Sequence, residues 1–212
     1  TSELGPFIGP TKDIPAPDVG TDSQTMAWMM DTYSQEQGYA QPGVVTGKPL
    51  EIGGSLGRTG ATGLGAIFVA EKAFEKKQMS LRGATVAIQG FGNVGSHVAL
   101  YAHERGAKII AVSDVKGGIF NGDGLDIPEV MAYIKEHKFL EGYPRAQKIS
   151  NEELLLLKCD ALFPCALEGQ IGVHNAEKVK AKLIIEGANG PVTNDATKIL
   201  YKNGVFIAPD II

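Results

Sequence analysis

The chain has 212 residues, 43% of them hydrophobic and 21% charged, with a formal charge of −4. That is material for one large domain or two small ones with a buried core, in an ordinary globular composition. The mildly acidic balance gives no support to nucleic acid or a membrane surface as partner, no apolar run approaches the ~18 residues of a spanning helix, and without a signal-peptide pattern the expected compartment is the cytoplasm.

The chain opens T-S-E-L-G-P-F-I-G-P without an initiator Met. In the Pro/Gly-rich lead, D-I-P-A-P-D-V-G-T (13–21) brackets Asp18 with prolines. Each proline fixes its own φ and pushes its predecessor into extended backbone, so the segment is stiff and could hold the Asp18 carboxylate against a reacting group; a helix-capping connector is the plainer alternative. Thr21 or Asp22 then caps a helix to about Gln37, with Met26, Met29, Met30 and Tyr33 on one face and Gly38 as the stop.

An irregular stretch follows from Tyr39 to Gly57. Its T-G-K-P does not make a phosphate loop, because Gly43 is too close to Gly47 and Pro49 stands where Ser or Thr is needed. G-G-S-L-G-R-T-G-A-T-G-L-G (53–65) approaches a helix expected over 58–77. Its backbone donors, with Arg58 and the Thr62 hydroxyl, could cradle a polar or anionic group.

From Thr85 the apolar pattern alternates: strand 85–89, helix 94–105, strand 108–113, a small hairpin or turn over 117–124, helices 127–137 and 151–157, strand 160–164, helix 174–180, strand 183–186, helix 193–203 and strand 205–208. Strands of Val, Ile, Leu and Ala without polar alternation imply burial on both faces, as in a parallel sheet. The expected fold is α/β, a doubly wound, Rossmann-like, mainly parallel sheet over 79–212 preceded by a helical lead-in over 1–78.

The strand T-V-A-I-Q runs directly into G-F-G-N-V-G, that is Gly90, Phe91, Gly92, Asn93, Val94 and Gly95, and nineteen residues later K-I-I-A-V-S-D ends on Asp114. This is the dinucleotide fingerprint in its structural context. Gly90 permits the sharp turn, Gly92 lets backbone approach a pyrophosphate, Gly95 lets the new helix pack on the sheet, and the phosphates meet the helix N-terminus. Asp114 suits a ribose 2′-hydroxyl and so favours NAD, while Lys116 beside it keeps NADP, or use of both, open.

Cys159 and Cys165 form no CxxC pair and no His lies at ligand spacing, so they read as buried free thiols and no metal site is expected. P-C-A-L-E-G-Q-I, with Ala166, and E-G-A-N-G-P-V-T, with Asn189, each follow an apolar strand, where open α/β sheets bind ligands. Asn189 can offer an amide to a carboxamide or hydroxyl. The chain closes on V-F-I-A-P-D-I-I while still apolar, so a piece of a longer polypeptide is expected.

I-P-A-P-D-V-G-T, A-W-M-M-D-T-Y-S, V-V-T-G-K-P-L-E-I-G-G-S-L-G-R, A-T-G, I-Q-G-F-G-N-V-G, E-G-A-N-G-P-V-T and A-P-D-I occur together and in this order. Jointly they resemble the cofactor-binding domain of glutamate dehydrogenase of the bacterial or archaeal hexameric type, essentially from end to end. Related leucine, valine and phenylalanine dehydrogenases share the fingerprint core but differ in the proline-bracketed aspartate, which favours glutamate. The resemblance implies NAD(P)-dependent oxidative deamination of L-glutamate to 2-oxoglutarate and ammonium. It also implies that Asp18 exchanges protons with the reacting nitrogen, that Thr62 lies near the nicotinamide and Asn93 near the phosphates, and that Asn189 faces the nicotinamide and its ribose. The family's glycine-lysine motif of G-G-x-K-G-G type is missing, and before Glu71 the only lysines are Lys12 and Lys48. A chain that binds cofactor with negligible turnover alone is therefore expected. The alternatives are a non-catalytic dinucleotide-binding or sensing module, or another amino-acid dehydrogenase acting on leucine, valine or phenylalanine. The full-length protein is expected to be a homohexamer, and this chain by itself a monomer or weak dimer.

Overall fold

The computed structural model describes residues 1–18 and 20–211; Val19 of the proline-bracketed motif and the terminal Ile212 lie outside the described residues. The chain divides into two compact units, Thr1–Thr59 and Gly60–Ile212.

In the first unit, α1 (Ser23–Gln37) begins at Asp22 rather than Thr21. The Asp22 carboxylate accepts from the Thr25 N–H at 2.9 Å and closes a capping box, and Gly38 ends the helix in the left-handed region, φ 79°. Met26 and Tyr33 are buried with Ile8, Val44 and Val45 in a small core, and Met29 and Met30 pack against it. Trp28, on the other face, is 64% exposed. The remaining regular structure of this unit is short 3₁₀ turns, so the lead-in is mostly irregular loop braced on one helix.

The second unit is a seven-stranded sheet. Its strands are β1 (Thr85–Gln89), β2 (Lys108–Asp114), β3 (Gly117–Phe120), β4 (Gln147–Ile149), β5 (Ala161–Pro164), β6 (Leu183–Ile185) and β7 (Phe206–Ala208), in the order β4-β3-β2-β1-β5-β6-β7. The pairs from β2 through β1, β5 and β6 to β7 are parallel, and β3 and β4 add an antiparallel edge. Val86 and Ile88 of β1 enter one apolar cluster and Ala87 the other, which is the double burial that the unalternating strands imply. The first cluster takes in Ile67 and Phe74 of α2 (Ala61–Lys76), Val98 of α3 (Asn93–Glu104) and Val130 of α4 (Ile127–His137). The second takes in Leu154 of α5 (Asn151–Leu155) and Leu200 of α6 (Asn194–Lys202).

Three expectations change. Of the hairpin or turn expected over 117–124, Gly117–Phe120 is a full sheet strand, β3, in a hairpin with β2 and paired with β4 on its outer edge, and the turn follows it. Strand β4 carries one buried residue, Ile149, so it leaves almost no hydrophobic pattern to read. The helix expected over 174–180 is only a 3₁₀ turn, Ala176–Lys178. The Asn175 side chain accepts from the Gly172 N–H and donates to the Gln170 carbonyl, both at 2.9 Å, an alternative to helical pairing. Helix α2, grouped by sequence with the lead-in, lies within the sheet-bearing unit.

One polar cluster joins β1, β5 and β6 at the edge opposite the glycine fingerprint. The Asp160 carboxylate accepts from the Thr85 N–H (2.9 Å), the Thr85 hydroxyl (2.8 Å) and Lys182 Nζ (2.8 Å). Burial opposes its ionisation, but the lysine and threonine donors outweigh that and hold the carboxyl below its ordinary range. A depressed carboxyl adds stability at neutral pH that is lost as pH falls through its folded-state pKa. Asp160→Ala is expected to destabilise the fold by about 1–3 kcal/mol at pH 7, with a smaller deficit in acid, as measured by denaturant unfolding at several pH values.

Candidate functional site

The fingerprint glycines do three different jobs. Gly90 turns out of β1 at φ 89°, and a Cβ there would come within 3.0 Å of the Cys165 and Ala166 backbone. Gly95, in the first turn of α3, lies so close to the Gly90 carbonyl that a Cβ would overlap that oxygen. At Gly92 a Cβ would meet nothing within 4 Å. The backbone is thus closed at two glycines and open at the one between. Gly92 is the N-cap of α3, and among the described residues no side chain caps the helix, so its leading N–H groups are available to a ligand.

Around this turn the sheet edge gathers most of the residues singled out from sequence. Ser113 Oγ accepts from the Gly90 N–H at 3.2 Å, joining the end of β2 to the fingerprint. The Asp114 carboxylate accepts from the Lys116 and Leu140 N–H groups, each at 2.7 Å, and Asn151 Nδ2 donates to the Asp114 carbonyl at 2.9 Å. Its oxygens are oriented by backbone yet keep lone pairs for a hydroxyl. A hollow beside it is lined by Val115, Lys116, Gly117, Lys148, Asn151 and Glu153. The Gly187 and Ala188 N–H groups both donate to the Pro164 carbonyl, at 3.1 and 3.0 Å, which sets the loops bearing Ala166 and Asn189 side by side. Phe91 and Val94 are half-buried and pack against the core, and Asn93, Ala166 and Asn189 are exposed at the rim.

Thr62 is exposed in the first turn of α2, whose Gly63 lies against His97 and Val98 of α3. Asp18 and Arg58 belong to the Thr1–Thr59 unit. Asp18 is exposed and heads a turn in which the Thr21 N–H and hydroxyl both donate to its carbonyl at 2.9 Å. The T-G-K-P stretch braces this turn. Thr46 N–H donates to the Pro15 carbonyl at 3.0 Å, and Gly47, at φ 70°, sits so close to the Pro17 ring that a Cβ would be 2.5 Å from it. Arg58 is half-buried in a 3₁₀ turn, Arg58–Gly60.

Burial pushes both thiols up, Cys159 with help from the Asp160 charge, each to about 12. Neither therefore supplies a thiolate nucleophile at neutral pH. Among the described residues no group of three or more His, Cys, Asp or Glu side chains could hold a metal ion, and no helix is long and apolar enough to cross a membrane.

Sequence reasoning did not find the carboxylates under the Asn189 loop. Asp210 Oδ2 accepts from the Gly190 N–H at 2.7 Å, and Glu186 Oε2 accepts from the Asp210 N–H at 3.0 Å. Only their place at strand ends, in E-G-A-N-G and A-P-D, signalled them.

The family described as Glutamate/Leucine/Phenylalanine/Valine dehydrogenase matches residues 53–212, and the one described as Glu/Leu/Phe/Val dehydrogenase, dimerisation domain, matches residues 1–35. A glutamate dehydrogenase of Thermotoga maritima is 51% identical over 212 residues, covering 100% of this chain and 51% of that protein. The catabolic NAD-specific glutamate dehydrogenase of Bacillus subtilis is 49% identical, covering 99% of this chain and 49% of that protein. Among solved structures, a hetero-hexameric glutamate dehydrogenase of Thermus thermophilus superposes with a TM-score of 0.93 at 41% identity, over 99% of this chain and 49% of that one. The chain thus spans about half the length of the relatives it matches.

Burial raises the Glu186 carboxyl above its ordinary value, and the Asp210 charge adds to the rise, against the Asp210 N–H that favours ionisation. A raised carboxyl holds its proton more tightly in the folded state, so its contribution to stability is full in acid and is lost as pH rises through the raised pKa. Glu186→Gln keeps an acceptor for the Asp210 N–H but does not ionise. Its melting temperature relative to the unsubstituted chain is expected to rise between about pH 4 and pH 7 in thermal melts across that window.

Proposed function

The chain belongs to the glutamate/leucine/phenylalanine/valine dehydrogenase family, and from that premise we propose that it supplies the NAD(P)-binding part of a glutamate dehydrogenase. The observation that carries this reading is the uncapped N-terminus of α3 behind an open Gly92, with Asp114 at the end of the neighbouring strand. A pyrophosphate fits the first, and an adenosine ribose the second. When bound, the nicotinamide supplies the hydride acceptor. The chain's own contribution is to bind and orient the cofactor through Gly90, Phe91, Gly92, Asn93, Val94 and Gly95, with Arg58, Thr62, Ala166 and Asn189 as further contacts. Asp18, on its proline-stiffened turn, exchanges a proton with the substrate nitrogen.

Glutamate is favoured over the family's other substrates by the glutamate dehydrogenase relatives and by the P-A-P-D motif. NAD is favoured over NADP by the Asp114 carboxylate, which would repel a 2′-phosphate. The nearby cations are partly engaged elsewhere. Lys148 is paired with Glu141 at 2.9 Å, and Lys116 Nζ lies 5.5 Å from the Phe139 ring centroid. The substrate carboxylates require basic anchors that the G-G-x-K-G-G motif supplies in the resembling family and that this chain lacks. Assembly into a hexamer is a property proposed for the whole protein, by likeness to the hexameric relative.

Calorimetry with NADH, beside a glutamate-oxidation assay, tests the reading. Binding without measurable turnover of this chain alone is expected, and turnover by the chain alone would overturn the division of labour. Gly92→Leu places a side chain in open space at φ −77°. It is expected to cost about 1 kcal/mol of stability, the N-cap preference for glycine over leucine, while raising the NADH Kd more than about tenfold. Unchanged affinity would remove the α3 N-terminus from the site, and NADP binding more than about tenfold tighter than NAD would reverse the cofactor preference. In the complete enzyme, Asp18→Asn is expected to lower kcat by about 10²–10⁴ with the NADH Kd unchanged.

A further inference from the structure

Residue Gln89 closes β1 immediately before the fingerprint and is 1% exposed. It is one of few buried polar side chains in the described residues. Its Nε2 donates to Gln170 Oε1 at 2.7 Å, while its own Oε1 has no hydrogen-bond partner among the described residues. An amide buried with one end unmade opposes folding, and an apolar side chain of similar volume would remove the penalty. Stability therefore does not account for a glutamine here. What glutamine provides, and methionine does not, is the bond to Gln170.

That bond crosses a particular place. Strand β1 leads through α3 to β2 on one side, and β5 lies on its other side, so the β1–β5 crevice is where the winding of the sheet reverses. Ligands of open α/β sheets bind at that switch point. Gln89 stands opposite Pro164 in the register, and the Cys165 N–H donates to the Gln89 carbonyl at 2.7 Å. Gln170 is five residues further along the loop after β5 and is itself held by Asn175. The next links are the Gly169 N–H to the Gly190 carbonyl and the Ile171 N–H to the Pro191 carbonyl, both 2.9 Å. A continuous path runs from Gln89 through Gln170 to the loop that carries Asn189.

We propose that Gln89 is a positioning residue: its side-chain bond to Gln170 clamps the 165–171 loop, and through it the Asn189 loop, against the crevice beside the fingerprint. The clamp matters to function because it preorganises two of the three loops that line the crevice, so cofactor need not order them on binding. Its link to cofactor affinity rests on the dinucleotide-binding reading above, whereas the clamp itself does not.

The test uses the full chain and the variants Gln89→Met, Gln170→Met and the double substitution, with thermal melts, amide hydrogen exchange without ligand, and NADH calorimetry. Gln89→Met is expected to melt at or above the temperature of the unsubstituted chain. Gln170→Met leaves both ends of the buried Gln89 amide unpaired and is expected to melt lower, with the double substitution recovering the loss. In Gln89→Met, exchange at 165–171 and 187–190 is expected to quicken, and the NADH Kd to rise, each by about fivefold, one hydrogen bond's net worth. The double substitution should raise Kd no further, because both residues act through one bond. Unchanged loop exchange in Gln89→Met overturns the proposal, as does a melting loss with faster exchange throughout the sheet. Faster loop exchange with unchanged NADH affinity overturns the functional half. Absence of NADH binding by the unsubstituted chain would refute the dinucleotide reading, and the exchange measurement would still decide the clamp.

Discussion

The close approach of Gly95 to the Gly90 carbonyl governs the whole C-terminal edge of the sheet. It lets α3 begin within one turn of the end of β1, which in turn brings the helix N-terminus level with the ends of β2 and β5. A single methyl at position 95 would push the helix off the strand. The same turn is tight on its other side, where Gly90 lies under Cys165 and Ala166, and the β5 loop lies in turn against Gly187 through the Cys165 sulfur. Three chain crossings are thus stacked with almost no side-chain volume between them. Glycine is what makes such packing possible, and backbone N–H groups are what it leaves exposed.

With side chains excluded from that layer, the edge is organised by hydrogen bonds from outside it. Ser113 holds Gly90, Asp114 holds the turn at Lys116 and the loop at Leu140, Asp210 holds Gly190, and Glu186 holds Asp210. All are side-chain acceptors on backbone N–H donors, and all sit at or just beyond a strand end. Carboxylates stand at three of these strand ends, and the N-terminus of α3 adds a positive pole at the end of β1.

Much of this was legible in the sequence, because the features that carry it are local. The spacing of Gly90, Gly92 and Gly95, the apolar run before them and the acid ending the next strand each state their own conformational need. The sequence narrowed the cap of α1 to Thr21 or Asp22, of which the structure uses Asp22, and the Val-, Ile- and Leu-rich strands declared their double burial. The parts that escaped are those set by distant partners. Strand β4 exists because β3 offers it an edge, not because Gln147–Ile149 has a strand pattern of its own. The 174–180 segment has helical periodicity, but the Asn175 amide takes up backbone groups of Gly172 and Gln170 instead. The role of Gln89 was invisible for the same reason: its partner is 81 residues away, and only the fold makes them neighbours.

The two units differ in how their candidate site residues are fixed, and the difference follows from their cores. The sheet-bearing unit has large apolar clusters on both faces and positions its crevice by strand register, so its site residues inherit the rigidity of the sheet. The first unit has a small core around Met26 and Tyr33, and Asp18 lies in a segment with no regular structure. Stiffness there comes from covalent geometry instead: two proline rings, the packing of Gly47 on Pro17 and the Thr21 turn. A carboxylate can be held in place by either method. Holding it by prolines rather than by a core keeps it solvent-accessible, whereas Glu186, beside the apolar clusters of the sheet, is half-buried.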